Sequence, residues 1–254
     1  MSSEIIILCI AAFAAGFIDS IVGGGGLVQT PATLITLPQH PVATLLGTTK
    51  IPSFTGTAIA CYQYAKKVTL QWKLLLIMGS IALLAAMAGS YTVSQVSNRF
   101  MKPVIFCILI AVAIYTYTKK DFGTAVRKDI HPRHELLYGA LFAFILGFYD
   151  GFIGPGTGSF LVIFFIAILG YDFLRASAHA KFVNLATNMG SIIYFGGSGH
   201  ILYKYAIPMA VCNVAGSFLG ARLAIMKGNR FIRVFFLLIV TATIIRFGYD
   251  IFWK

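Results

Sequence analysis

A chain of 254 residues that is 58% hydrophobic and 11% charged carries too little polar surface to enclose a soluble core. Its mean hydropathy of +0.84, with apolar stretches near the roughly 20 residues that cross a bilayer, indicates an all-α polytopic membrane protein; the short alternating strands of an outer-membrane barrel are missing. The net charge of +12 does not mark a nucleic-acid binder, because the basic residues lie between apolar stretches, where positive-inside topology puts them.

In chain order, the first apolar stretch covers 4–22. It lacks both a basic leader and a small-residue cleavage site, so it is expected to be a retained helix. It ends in Gly23-Gly24-Gly25-Gly26. The next stretch, 27–38, would be only about 18 Å long as a helix, too short for an upright span. The two are expected to form partial helices that meet near mid-membrane. Stretches 42–65, 70–93 and 101–118 follow, each able to cross. The segment 119–134, with Lys119, Lys120, Arg127, Lys128 and Arg133, is expected to be a solvated basic linker. Beyond it the order recurs as 135–153, a break at Gly154-Pro155-Gly156-Thr157-Gly158, a short 159–170, then 174–196, 202–225 and 230–252.

The recurrence is a duplication with a constant offset of 131, the interval from Asp19 to Asp150. Gly16-Phe17-Ile18-Asp19 matches Gly147-Phe148-Tyr149-Asp150, and Lys50 matches Lys181. Lys73 matches Lys204, and Asn98-Arg99-Phe100 matches Asn229-Arg230-Phe231. The expected organisation is an N-terminal membrane repeat over 1–118, the linker, and a C-terminal repeat over 135–254, each with a glycine-broken pair and about three full spans. If each broken pair returns to its starting side, the halves are inverted. With the N-terminus outside, twelve basic residues then fall inside and four outside, leaving aside the buried or nearly buried Lys50, Lys181, Arg222 and Arg246. Parallel halves of four spans each give ten against six at best. The charge bias therefore favours inverted repeats in a cell membrane (the inner one in a Gram-negative cell), with the linker cytoplasmic.

The residues that could carry chemistry lie inside these stretches. A helix can stop within a bilayer only where its freed backbone groups find partners in protein or water. Gly24, Gly25 and Gly26 in the first break, and Gly156, Thr157, Gly158 and Ser159 at the second, allow close backbone approach to a ligand. The restarting helices would aim free N–H groups and a positive dipole end at an anion. Close helix packing through small residues is the alternative. Asp19 and Asp150 are the carboxylates well inside predicted spans, and each could carry a proton or cap its glycine loop. Lys181, Asn184 and Asn188 share one helical face, and Lys50, Ser53 and Thr57 occupy the matching positions. A cation followed by neutral donors suits an oxyanion, whereas a lysine near a helix end could instead snorkel.

No metal-ligand spacing, nucleotide motif or catalytic constellation stands out, so no cofactor is expected and the chain is not read as an enzyme. The cysteines Cys9, Cys61, Cys107 and Cys212 have no paired spacing. The bottom-up reading is a secondary transporter of a small anion, with an anion channel or uniporter for small carboxylates or inorganic anions as the alternative. Its expected partners are that anion, the lipid bilayer and coupling protons.

The opening Ala14-Ala15-Gly16-Phe17-Ile18-Asp19-Ser20-Ile21-Val22-Gly23-Gly24-Gly25-Gly26, followed by Pro31 and Gly47-Thr48-Thr49-Lys50, resembles the TauE/SafE family of sulfite exporters and related anion permeases. Gly147 to Ser159 and Lys181-Phe182-Val183-Asn184-Leu185-Ala186-Thr187-Asn188 resemble it as well. The resemblance covers nearly the whole chain. It implies a permease for small sulfur-containing or carboxylated anions such as sulfite, sulfonates or thiosulfate.

Overall fold

A computed structural model describes residues 3–97 and 132–252, beyond Gly228 largely through the backbone alone. The described residues form helices and no strand. In order these are α1 (Ser3–Val22), α2 (Gly26–Thr36), α3 (Val42–Ala65), α4 (Trp72–Gln95), α5 (Pro132–Phe152), α6 (Thr157–Ala167), α7 (Phe173–Gly197) and α8 (Tyr203–Phe252). The stretch 101–118 and linker positions 119–131 lie outside the described residues, and the last three linker positions already open α5. Helix α8 contains one non-helical residue, Gly228 at φ 67° and ψ −162°. It is therefore two helices meeting at a kink, in keeping with the separate stretches 202–225 and 230–252.

The short helices are bounded by glycines in conformations that a side chain resists. Gly24 has φ 88° and Gly156 φ 89°, both left-handed. The two interruptions touch: a Cβ on Gly158 would lie 2.9 Å from the Gly23 Cα, and one on Gly26 would lie 3.1 Å from the Pro155 Cα. With 11 residues each, α2 and α6 are about 16 Å long, so they end well short of a full crossing.

Helices α1, α4, α5 over His134–Phe152, and α8 over Tyr203–Gly228 are long and apolar enough to cross a bilayer. Their outward faces carry exposed apolar residues such as Ile10, Leu84, Phe144 and Val211, as lipid contact requires. Helices α3 and α7 are equally long but more polar, because they are packed centrally and buried on most sides. They do not need a lipid-compatible surface.

The halves interleave. Helix α1 packs along α8, with Gly16 beside Asn213 and Gly220 beside Phe17. Helix α5 packs along α4, with Gly147 beside Ala82 and Gly151 beside Ala86. In both pairs the contacts advance in the same direction along the two helices, so the packing is parallel. Each long helix of one half thus lies against a helix of the other.

Two groups of helix starts gather at different places. Tyr205 Oη donates to Glu4 at 2.8 Å, and the Leu202 N–H donates to Thr48 Oγ1 at 3.0 Å. The starts of α1, α3 and α8 are thereby together, and Leu37 from the end of α2 packs with Leu8, Leu45 and Tyr205. In the other group, Tyr171 Oη donates to Glu135 at 2.9 Å, and the Gln71 N–H donates to His179 Nε2 at 3.1 Å, gathering the starts of α4, α5 and α7. Helix α3, 24 residues and about 36 Å long, separates the two groups.

Candidate functional site

Asp19 sits in the last turn of α1, just ahead of the first glycine break, and Asp150 occupies the matching place in α5. Lys50 lies in the first half of α3 and Lys181 in the first half of α7. The fold brings these four together crosswise. Lys181 Nζ donates to Asp19 Oδ2 at 2.8 Å, and Lys50 Nζ donates to Asp150 Oδ2 at 2.8 Å. Each lysine therefore reaches the aspartate of the other half. Lys50 is 5% exposed and Lys181 0%, so neither snorkels to an interface.

The aspartates also tie down the broken backbone. Asp19 Oδ1 accepts the Gly25 N–H at 3.2 Å, holding the first glycine loop. At the second break the ammonium of Lys50 also binds the Asp150 carbonyl oxygen at 2.7 Å, an acceptor near the C-terminal end of α5. Asp19 thus combines loop capping with ion pairing, whereas the Asp150 carboxylate makes the ion pair alone and Lys50 supplies the backbone contact at the second break. The lysines are not free cations facing a ligand. Two ammoniums and two carboxylates cancel, so the charges of this cluster are already matched.

Between the breaks lies a cavity with about 40 Å³ of room for the centres of water-sized solutes. It is lined by Gly24, Gly25 and Gly26 from the first break and by Gly156, Thr157 and Gly158 from the second. Lys50, Ser53, Asn184, Asn188, Asp19 and Asp150 complete the part of the wall that the sequence singles out. Of the first-turn amides of α2 and α6, those of Leu27, Val28 and Thr157 already donate to the Gly24, Gly25 and Gly154 carbonyls, which leaves the amides of Gly26 and Gly158, both on the cavity wall, to meet its contents. Lys181, Thr57 and Ser159 are not brought to the wall: Lys181 stands behind Asp19, and Thr57 and Ser159 are buried elsewhere in the packing. Among the described residues, no group of His, Cys, Asp and Glu has a metal-holding arrangement.

Sequence reasoning missed Gln29, Thr30, Thr49 and Asn213, which also line the cavity. Gln29 Nε2 donates to the Thr49 carbonyl at 3.0 Å, and Asn213 Nδ2 donates to Gln29 Oε1 at 3.1 Å. A carboxamide in an apolar stretch is itself a signal of an internal polar site. These residues escaped notice because the duplication does not repeat them: Gln29 corresponds to Phe160, Thr49 to Ala180 and Asn213 to Ala82.

Long lipid-compatible helices around a small polar cavity, closed by interrupted helices, define the class of polytopic membrane transporters. The chain belongs to the sulfite exporter TauE/SafE family, whose match spans residues 8–247. It is similar to a probable membrane transporter protein, ORF9, of Sinorhizobium sp., 35% identical over 94% of this chain and 90% of the relative. A probable membrane transporter protein of Haemophilus influenzae is 32% identical over 98% of this chain and 95% of the relative. The probable membrane transporter protein YfcA of Escherichia coli is 29% identical over 96% and 89% respectively. No solved structure matches the chain. The chain is a membrane transporter of this family and not an enzyme.

Proposed function

We propose that this protein is a secondary transporter of a small oxyanion of the sulfite, sulfonate or thiosulfate type, coupled to protons through Asp19 and Asp150. The observation that carries the reading is the Lys50–Asp150 pair, both members of which face the cavity. An oxyanion can take the Lys50 ammonium only if the carboxylate yields it, and a proton on Asp150 makes it yield. Each proton then offsets one unit of the anion's charge, one for a monoanion and two, on Asp19 and Asp150, for a dianion, which lowers the cost of holding charge inside a membrane. The cavity, with space for about three waters, is on the scale of a small solute.

The two halves are proposed to be inverted repeats. Helix α1 starts in the group containing Glu4 and Leu202, and α5 starts in the group containing Glu135 and Gln71, with the length of α3 between them. Alternating access then follows from two similar halves exchanging conformations around one site. In this reading the segment 119–134 is cytoplasmic in the cell membrane.

Purified protein in liposomes tests the proposal. Uptake of sulfite or thiosulfate is expected to saturate, to respond to an imposed pH gradient, and to be lost in both Lys50→Ala and Lys181→Ala. Flux that stays linear to high concentration, with a single-channel current, indicates a channel and overturns the carrier reading.

A further inference from the structure

Asn213 is where the matched halves part. It projects from α8 into the crossing of α1 and α3, where a Cβ on Gly56 would overlap its side-chain oxygen and one on Gly16 its backbone oxygen. The equivalent positions of the other half hold Ala82 and Thr187, so the bulk and the polarity have moved from the outer helix to the central one. Room for a carboxamide beside the cavity has been made on one side alone.

Its orientation is fixed by a relay. The Thr49 carbonyl can only accept, so Gln29 must turn its NH₂ to it, at 3.0 Å. Gln29 Oε1 then faces Asn213, which must present its own NH₂, at 3.1 Å. Asn213 Oδ1 in turn accepts from Ser217 Oγ at 3.2 Å. The NH₂ of Asn213 has a second hydrogen that no described residue takes, on a side chain that lines the cavity and is 97% buried by its 3% exposure. A backbone carbonyl two links away thus commits Asn213 to being a donor.

We propose that Asn213, positioned by Gln29, binds an oxygen of the transported oxyanion from one half only, so that the two faces of the transport cycle have unequal affinities. This rests on the transporter reading above. It adds a recognition element that the duplication lacks and gives a structural source of kinetic asymmetry between the two faces.

The test uses the full chain in liposomes, with half-saturation for sulfite and thiosulfate measured separately from each side, and anion-induced thermal shifts in detergent. Asn213→Leu keeps the shape, adds no charge and removes the donor. The expected result is binding weaker by about tenfold or more, as for loss of a hydrogen bond to a charged group, with the ratio of half-saturation from the two sides moving toward one. A packing role alone would lower stability without changing that ratio. The triple variant Ala82→Asn/Phe160→Gln/Thr187→Gly installs the arm and its positioning carboxamide in the other half and is expected to tighten binding and likewise move the ratio toward one. Asn213→Leu with wild-type affinity and sidedness overturns the inference. If Asn213→Leu does not fold, unchanged sidedness in the triple variant overturns it. Wild-type protein with no response to any anion sinks the oxyanion reading on which the inference rests.

Discussion

Lys50 and Asp150 are placed so that neither can be altered without consequence for the other. Removing one member of a buried pair leaves an uncompensated charge, at a cost of about 3–5 kcal/mol in soluble hosts. The direction of the effect on binding differs from that on stability. Under the proposed coupling, proton and anion bind together in the wild-type protein, so anion affinity is expected to rise as pH falls. In Asp150→Asn the ammonium no longer has a carboxylate to leave. Anion affinity near neutral pH should then be about tenfold tighter and less dependent on pH, while the melting temperature falls. Titrating binding of thiosulfate, which stays fully ionised over this range, by thermal shift in both proteins checks this, and an undiminished pH dependence in Asp150→Asn would assign the proton elsewhere. The four charges were legible in the sequence because a charge in lipid demands a reason. Their crossed pairing was not, since an offset relates equivalent positions and says nothing about which half supplies a partner. Gln29 and Asn213 were overlooked for the opposite reason: they are informative because the halves differ there.

At the scale of helices, the boundaries follow closely from local chemistry. The breaks lie at glycines with left-handed φ, so α2 begins at Gly26 and α6 at Thr157, the same point in each repeat. A subtler correspondence joins α3 and α7 to the starts of α4 and α8. Thr48 Oγ1 donates to the Thr44 carbonyl at 2.6 Å while accepting the Leu202 N–H at 3.0 Å. His179 occupies the matching place, with Nδ1 2.7 Å from the Arg175 carbonyl and Nε2 3.1 Å from the Gln71 nitrogen. A carbonyl only accepts and an N–H only donates, so the imidazole must be neutral and protonated at Nδ1. Arg175, Asp172 and the ring of Tyr171 surround it. Protonation puts a second N–H against that of Gln71 and breaks the bond. As pH falls through the imidazole titration, the protection of the Gln71 amide relative to its intrinsic exchange rate at each pH is expected to drop, while that of Leu202, held by a hydroxyl, does not. Equal changes at both amides would show that the imidazole is not what holds the start of α4.

For the whole molecule, the proposed inverted arrangement would make Lys73 and Lys204, equivalent residues at the starts of α4 and α8, face opposite sides of the membrane. With the native cysteines replaced, Lys73→Cys should be shielded from an impermeant maleimide added outside cells, and Lys204→Cys should react. Labelling of both from one side would refute inversion. The basic-residue count pointed the same way, although part of the basic linker that it relies on lies outside the described residues.

The parallel packing of α1 on α8 and of α5 on α4 has a mechanical consequence. The seams of close glycine contact join helices from different ends of the gene product, so the pieces able to shift as rigid bodies straddle its midpoint. Cutting the chain in the linker would give two fragments that each lack an outer wall. Neither should be stable alone, yet the two should recombine when made together, because both of these seams are intermolecular in such a split protein.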